Sequence, residues 1–305
     1  MRLQWFLNLF VFITDPVQWL WDWSKRLNQT QNSHIIQDSC CVRGDLNIRI
    51  FEPIAPTLKI ESNVRDSKGE CLAGGASGII ERLPSGNVVK SPWTGSREYD
   101  CRRDITIESD IYERLGPHPR LLQIINWDPE DCVLTMEYLP NGSLKDFLLA
   151  QNDKISIKQR LHWPREAAEG LQLLHDADVI HCDVEPRNFL IDANLSLKIG
   201  DFGGSSLRGS QPSACAPTRF LPPDFDWRRQ PTIEDDLFGL GSTIYFIMTG
   251  QYPFAELGSD EVEANFRARR FPSVEGILCG DIFKQCWSSE IASAQVAYNL
   301  IQVVI

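Results

Sequence analysis

Between residues 179 and 203 the chain reads VIHCDVEPRNFLIDANLSLKIGDFG, and this stretch constrains the fold more than any other. It places His181, Asp183, Asn188 and Asp201 within about twenty residues. Two short apolar runs, Phe189-Leu190-Ile191 and Leu195-Ser196-Leu197-Lys198-Ile199, separate them. A polar turn at Asp192-Ala193-Asn194 joins the runs, so they read as a β-hairpin. The hairpin holds a carboxylate and an amide at its entry and a second carboxylate at its exit. A carboxylate and an amide oxygen on one side of a cleft suit a hard cation such as magnesium. The remaining carboxylate can orient a hydroxyl nucleophile. These are the parts that phosphoryl transfer requires.

Upstream, Cys71 to Ile80 reads CLAGGASGII. Glycine removes the side chain where backbone N–H groups must face an anion. A tight turn at Pro84-Ser85-Gly86-Asn87 follows, and then an apolar strand ending in Lys90. Apolar positions at Ile105, Ile107, Ile111, Tyr112 and Leu115 predict a helix over 99–115, with Glu108 in its middle and Gly116-Pro117-His118-Pro119 as its stop. Strands are expected over 121–127 and 132–138. Helices are expected over 143–152, 157–176, 236–249, 260–270 and 277–287, and the apolar stretch 292–305 should pack on them.

The 305 residues suffice for one two-lobed domain and a short extension. A net charge of −11 with scattered Lys and Arg argues against a nucleic-acid partner, which would want a basic face. Nine cysteines fall at irregular spacings without a C-x-x-C pair, which suggests neither a zinc site nor a disulfide framework. Reduced thiols in the cytoplasm or nucleus are the simplest reading. Residues 1–26 are unusually aromatic, with Trp19, Trp21 and Trp23 near Lys25 and Arg26. Their apolar run is short for a membrane span. The alternatives are a helix packed on the domain, a poorly ordered tail, or weak contact with a membrane surface. Residues 1–45 are assigned to this segment and a polar linker, with a strand expected at 46–50.

His181-Cys182-Asp183-Val184-Glu185-Pro186-Arg187-Asn188 resembles the catalytic loop of eukaryotic protein kinases, and Asp201-Phe202-Gly203 resembles their metal-binding triplet. The wording at 204–207 and 239–245 is similar to divergent serine/threonine-type kinases of filamentous fungi. The resemblance covers residues 67–290. It implies a two-lobed α+β fold: an antiparallel N-lobe sheet with one helix over 46–138, and a mainly helical C-lobe over 139–305. It implies ATP and Mg2+ as cofactors, a protein substrate and a monomer. Asp183 would accept the substrate hydroxyl proton, while Asn188 and Asp201 would bind magnesium. Lys90 would contact the α- and β-phosphates and pair with Glu108. Ala73, Gly75, Gly78 and Ile80 take the places of the glycine-loop pattern. Val88 and Leu190 would line the nucleotide pocket, Met136 would guard it, and backbone at Glu137 and Leu139 would bind adenine.

Four departures matter. Cys182 replaces the arginine that pairs with a phosphorylated activation loop. Glu185 replaces a lysine aimed at the γ-phosphate, and a carboxylate there should repel phosphate. Arg187, four residues after Asp183, is placed to supply the missing charge as in tyrosine kinases. Pro222-Pro223-Asp224 stands for Ala-Pro-Glu, and no arginine after Trp287 completes its usual ion pair. Thr218 is expected near Asp183. The leading expectation is phosphorylation of a protein hydroxyl, serine or threonine ahead of tyrosine because of Pro186. The alternatives are a nucleotide-binding pseudokinase scaffold and a small-molecule kinase.

Overall fold

The computed structural model describes residues 67–305. The expectations for 1–45 and for the strand at 46–50 fall outside the described residues. Five antiparallel strands make the first sheet: β1 (Glu70–Gly74), β2 (Ile79–Arg82), β3 (Val88–Ser91), β4 (Ile124–Asp128) and β5 (Val133–Met136), in the order β1-β2-β3-β5-β4. Lys90 lies opposite Ile80 on β2 and Leu134 on β5, and Val88 lies opposite Met136. That register puts the lysine in the middle of the sheet.

One helix, α1 (Glu98–Leu115), crosses this sheet. It buries Cys101, Ile105, Glu108, Ile111 and Tyr112 and leaves Asp110 and Glu113 exposed. Gly116 ends it at φ 66, where its N–H bonds to the Tyr112 carbonyl at 3.0 Å. A residue with a Cβ would be strained in that left-handed position.

The chain then turns into α2 (Leu144–Gln151) and α3 (Ile157–Asp176), each begun by a serine whose side chain accepts the third backbone N–H. Short strands β6 (Val179–Ile180), β7 (Phe189–Ile191), β8 (Leu197–Ile199) and β9 (Ser206–Leu207) follow. The expected hairpin is the β7–β8 pair, with Leu190 opposite Lys198. β6 pairs with β9, so the segment after the Asp201 triplet is anchored beside the segment before the catalytic loop.

Four further helices complete this half: α4 (Ile233–Thr249), α5 (Ser259–Arg267), α6 (Gly280–Trp287) and α7 (Ala294–Val304). α4 is buried for most of its length, from Asp235 to Ile247. A helix apolar on all sides belongs at the centre of a lobe. α7 packs on α3 through Ala294, Ala297 and Ile301, all fully buried. Ile301 alone contributes about 1.5–3 kcal/mol of burial. No helix of the described residues is long and apolar enough to cross a membrane.

Candidate active site

Three elements distant in sequence meet at Lys90. Its Nζ donates to Glu108 Oε2 at 2.6 Å and to Asp201 Oδ1 at 2.5 Å. Lys90 and Glu108 are buried, whereas the Asp201 side chain is 51% exposed on the cleft side. Burial works against the lysine's charge, but Asp201 and Glu108 overcome it and hold Lys90 well above the ordinary lysine range. The Lys90 ammonium holds Asp201 below the usual carboxylate range. Burial pushes Glu108 up, with Lys90 opposing. A buried pair like this is costly to break, because either charge left alone has no water.

Phe202 fixes the triplet. It is fully buried, with its ring 4.8 Å from Tyr112 and 5.6 Å from His181. Its N–H faces Glu108 Oε1 at 3.4 Å, so α1 and the triplet share one carboxylate. Asp201 sits at φ 65 and Cys182 at φ 66. Left-handed backbone at residues other than glycine costs on the order of 1–3 kcal/mol and must be held by its surroundings. For Cys182 the holder is Asp236. Its carboxylate accepts the His181 N–H at 2.7 Å and the Cys182 N–H at 2.9 Å, and lies 3.0 Å from His175 Nε2. His181 adds a second brace, taking the Asp183 N–H on Nδ1 and facing the Gly200 carbonyl with Nε2.

These braces present Asp183. One oxygen, Oδ2, accepts from Asn188 Nδ2 at 3.0 Å and lies 3.6 Å from Arg187. The other, Oδ1, is buried with no hydrogen-bond partner among the described residues. A buried, unpaired carboxylate oxygen is costly unless something binds there. Burial raises the Asp183 pKa, and Arg187 is the chief counterweight. Asn188 also donates to the Asp183 carbonyl at 2.7 Å, which leaves its amide oxygen for another partner. The Asn188 amide oxygen and Asp201 Oδ2 are thus left without a hydrogen bond among the described residues, and oxygen donors are the type that magnesium takes. No three His, Cys, Asp or Glu side chains converge among the described residues. Two protein ligands are enough where phosphates and water complete the shell.

Glu185, expected to repel phosphate, and Arg187, expected to supply the missing charge, lie against each other. The 3-10 turn at Pro186–Asn188 folds Arg187 back onto Glu185, and the two form a close ion pair. Glu185 is buried and Arg187 stays 45% exposed. Arg187 thus touches both acids of the loop. Thr218, by contrast, makes no hydrogen bond with Asp183; it opens a short 3-10 turn instead. Asp224 is exposed and joins no salt bridge among the described residues, while Arg229 pairs with Asp235 through two nitrogens.

The residues expected to line a nucleotide pocket lie along the first sheet and the hairpin. Val88 and Met136 are buried, and Leu190 is half-buried in the hairpin below. After Met136 the Glu137 N–H bonds to Gln123, but the Glu137 carbonyl and the Leu139 N–H have no partner among the described residues. They offer an acceptor and a donor two residues apart. The Glu137 side chain is tied to Lys198 Nζ at 2.6 Å and to the Gln123 N–H. Ala73 lies opposite Ile80 where β1 meets β2, and the turn between them closes with Gly75 N–H on the Gly78 carbonyl at 2.8 Å. At Gly78 the glycine has a packing reason: a Cβ there would stand 2.2 Å from the Ser91 carbonyl oxygen.

Three residues at this turn had no role in the sequence reading. Trp93 Nε1 donates to the Gly75 carbonyl at 2.9 Å, Arg97 donates to the Ala76 carbonyl, and Cys101 Sγ lies 3.6 Å from that same oxygen. They belong to the linker after β3 and to the start of α1. Only the bulk of Trp93 hinted at a role, and nothing local marked its partner.

The segment after the triplet is also ordered. Ala216 N–H bonds to the Cys182 carbonyl at 2.9 Å, and Ser213 and Ala214 N–H groups reach the Gly204 carbonyl. Ser213 Oγ donates to Asp104 of α1 at 3.0 Å. Cys182 faces a small, nearly filled pocket of about 20 Å³ that also includes Val184, Ala214, Phe220, Phe225 and Trp227.

Known proteins match this sequence. The protein kinase domain family matches residues 88–302. "Probable serine/threonine-protein kinase PBL28" of Arabidopsis thaliana is 30% identical over 264 residues, covering 78% of this chain and 69% of that protein. A "Probable leucine-rich repeat receptor-like protein kinase" of Arabidopsis thaliana is 30% identical over 64% of this chain, which spans 22% of its length. The "Tyrosine-protein kinase receptor svh-2" of Caenorhabditis elegans is 24% identical over 88% of this chain, which spans 27% of its length. With its antiparallel five-stranded sheet, its single crossing helix and its helical second lobe, the chain belongs to the protein kinase family.

Proposed function

We propose that this kinase uses ATP and Mg2+ to phosphorylate a protein hydroxyl, serine or threonine ahead of tyrosine. The observation that carries this reading is the junction of Lys90 with Glu108 and Asp201, beside the unpartnered Oδ1 of Asp183. A cation held between two acids beside a carboxylate oxygen with no partner among the described residues supports a site built for positioning and charge stabilisation.

In this reading Glu137 carbonyl and Leu139 N–H take the adenine edge, between Val88 and Ile80 above and Leu190 below, with Met136 behind. The turn from Ala73 through Gly75 and Gly78 covers the phosphates, and Lys90 binds the α- and β-phosphates. Asn188 and Asp201 hold magnesium, which when bound neutralises charge on the phosphates. Asp183 orients the incoming hydroxyl and takes its proton on Oδ1. Arg187 meets the transferred phosphoryl group and offsets Glu185.

Pro186 favours serine or threonine, and PBL28 carries that description in its name. Arg187 and the receptor svh-2 point the other way. Affinity with divergent fungal kinases, a monomeric state, a cytoplasmic or nuclear location and weak membrane-surface contact through residues 1–26 belong to the same reading.

The test is transfer of label from γ-labelled ATP with magnesium, beside an Asp183→Asn control. Label on the protein itself or on a generic substrate, lost in the control, supports the kinase. Glu185 favours a second reading, a nucleotide-binding scaffold, which ATP binding without transfer would select. A labelled metabolite without labelled protein would select a small-molecule kinase.

A further inference from the structure

The glycine-rich turn is tied at its carbonyl side. Trp93 holds the Gly75 oxygen, and Arg97 with Cys101 holds the Ala76 oxygen. Trp93 reaches this position because residue 74 is glycine: a Cβ there would stand 2.9 Å from Trp93 Cζ2. In a trans peptide the C=O of one residue and the N–H of the next point to opposite sides. Fixing the carbonyls of Gly75 and Ala76 therefore fixes the N–H groups of Ala76 and Ser77 on the side away from the clamp. Neither N–H has an acceptor among the described residues. Ser77 is buried, and its hydroxyl lies 3.3 Å from where a Cβ on Gly203 would stand, so the turn overhangs the triplet that carries Asp201. Two successive free N–H groups in such a turn make a small anion-binding concavity.

We propose that Trp93 and Arg97 are positioning residues that aim the Ala76 and Ser77 N–H groups at the terminal phosphates of the nucleotide. The clamp acts on phosphate recognition and leaves adenine recognition to the Glu137–Leu139 edge. It also couples the turn to α1, because Trp93 and Arg97 sit between Lys90 and the helix that carries Glu108. The inference rests on the nucleotide reading of the site given above.

That separation supplies the test. ATP and adenosine are titrated by calorimetry into the full-length protein and into two variants, Trp93→Phe and Arg97→Ala. Trp93→Phe keeps an aromatic ring and removes the indole donor. Losing one such hydrogen bond is expected to weaken ATP about five- to tenfold. Adenosine affinity should stay within about twofold, and the KM for ATP should rise more than kcat falls. Arg97→Ala should show the same selectivity. Equal weakening of ATP and adenosine would mean the residues only support the lobe, and it would overturn the proposal. Unchanged ATP affinity in both variants would overturn it too. A wild-type protein that binds adenosine but not ATP would refute the clamp alone. One that binds neither would refute the nucleotide reading and the clamp with it.

Discussion

The two faces of the cleft are assembled from opposite materials. On the nucleotide side, α1, β3 and the Asp201 triplet are joined by charge: Lys90 between Glu108 and Asp201. On the substrate side, the segment over 204–221 is held by strand pairing, backbone hydrogen bonds and apolar packing around Cys182. Where an arginine would wait for a phosphate, this chain has a buried thiol whose pKa burial pushes far above the cysteine range. The first face fails when a charge is removed. The second needs no added charge to be ordered. One face thus depends on buried ion pairs, and the other mainly on backbone pairing and packing.

The largest effect that would break this contrast is at Lys90. Lys90→Met should abolish transfer and destabilise the fold by about 3–5 kcal/mol, because Glu108 is left buried without its partner. Urea unfolding beside the transfer assay measures both. Cys182→Arg is the matching change on the other face. A guanidinium forced into the pocket beside Val184 and Phe220 should cost about 1–3 kcal/mol by overpacking, whereas Cys182→Ala should be milder. If Cys182→Arg leaves the urea midpoint unchanged, the packing account of this face is wrong.

Arg187 sharpens the boundary between the faces. In the proposed reaction Asp183 works as a carboxylate; burial raises its pKa and Arg187 opposes the rise. Removing the cation disfavours the charged form, so Arg187→Ala should move the acid limb of kcat/KM to higher pH. It should also lower kcat, and a pH profile separates the two effects. The smallest effect is at Asp224. In an anchored Ala-Pro-Glu motif its loss would be severe. Here it is exposed and without a salt bridge, so Asp224→Ala should change stability by no more than about 0.5 kcal/mol. A larger loss would reveal an anchor this account lacks.

The sequence showed most of this. Periodicity placed Glu108 in the middle of α1 and the family resemblance paired it with Lys90, while the hairpin between Asn188 and Asp201 was visible as two apolar runs around a polar turn. Element ends moved by a few residues, as at 277–287, where the helix begins only at Gly280. What stayed hidden depends on tertiary approach. Trp93 meets a turn eighteen residues earlier in the chain, and no local pattern records that meeting. Glu185 and Arg187 read as separate charges until the 3-10 turn at Pro186–Asn188 folds one onto the other. Thr218 carries a family position, yet its backbone enters a turn that leaves Asp183 Oδ1 alone.

The most direct measurement is the initial rate of transfer from γ-labelled Mg-ATP by protein stripped of phosphate with a phosphatase and checked by intact mass. If packing orders the segment over 204–221, transfer should run from the first time point, without lag, at the rate of the untreated protein. A lag removed by prior phosphorylation within 204–221, or ATP binding with no transfer in either preparation, would contradict that expectation.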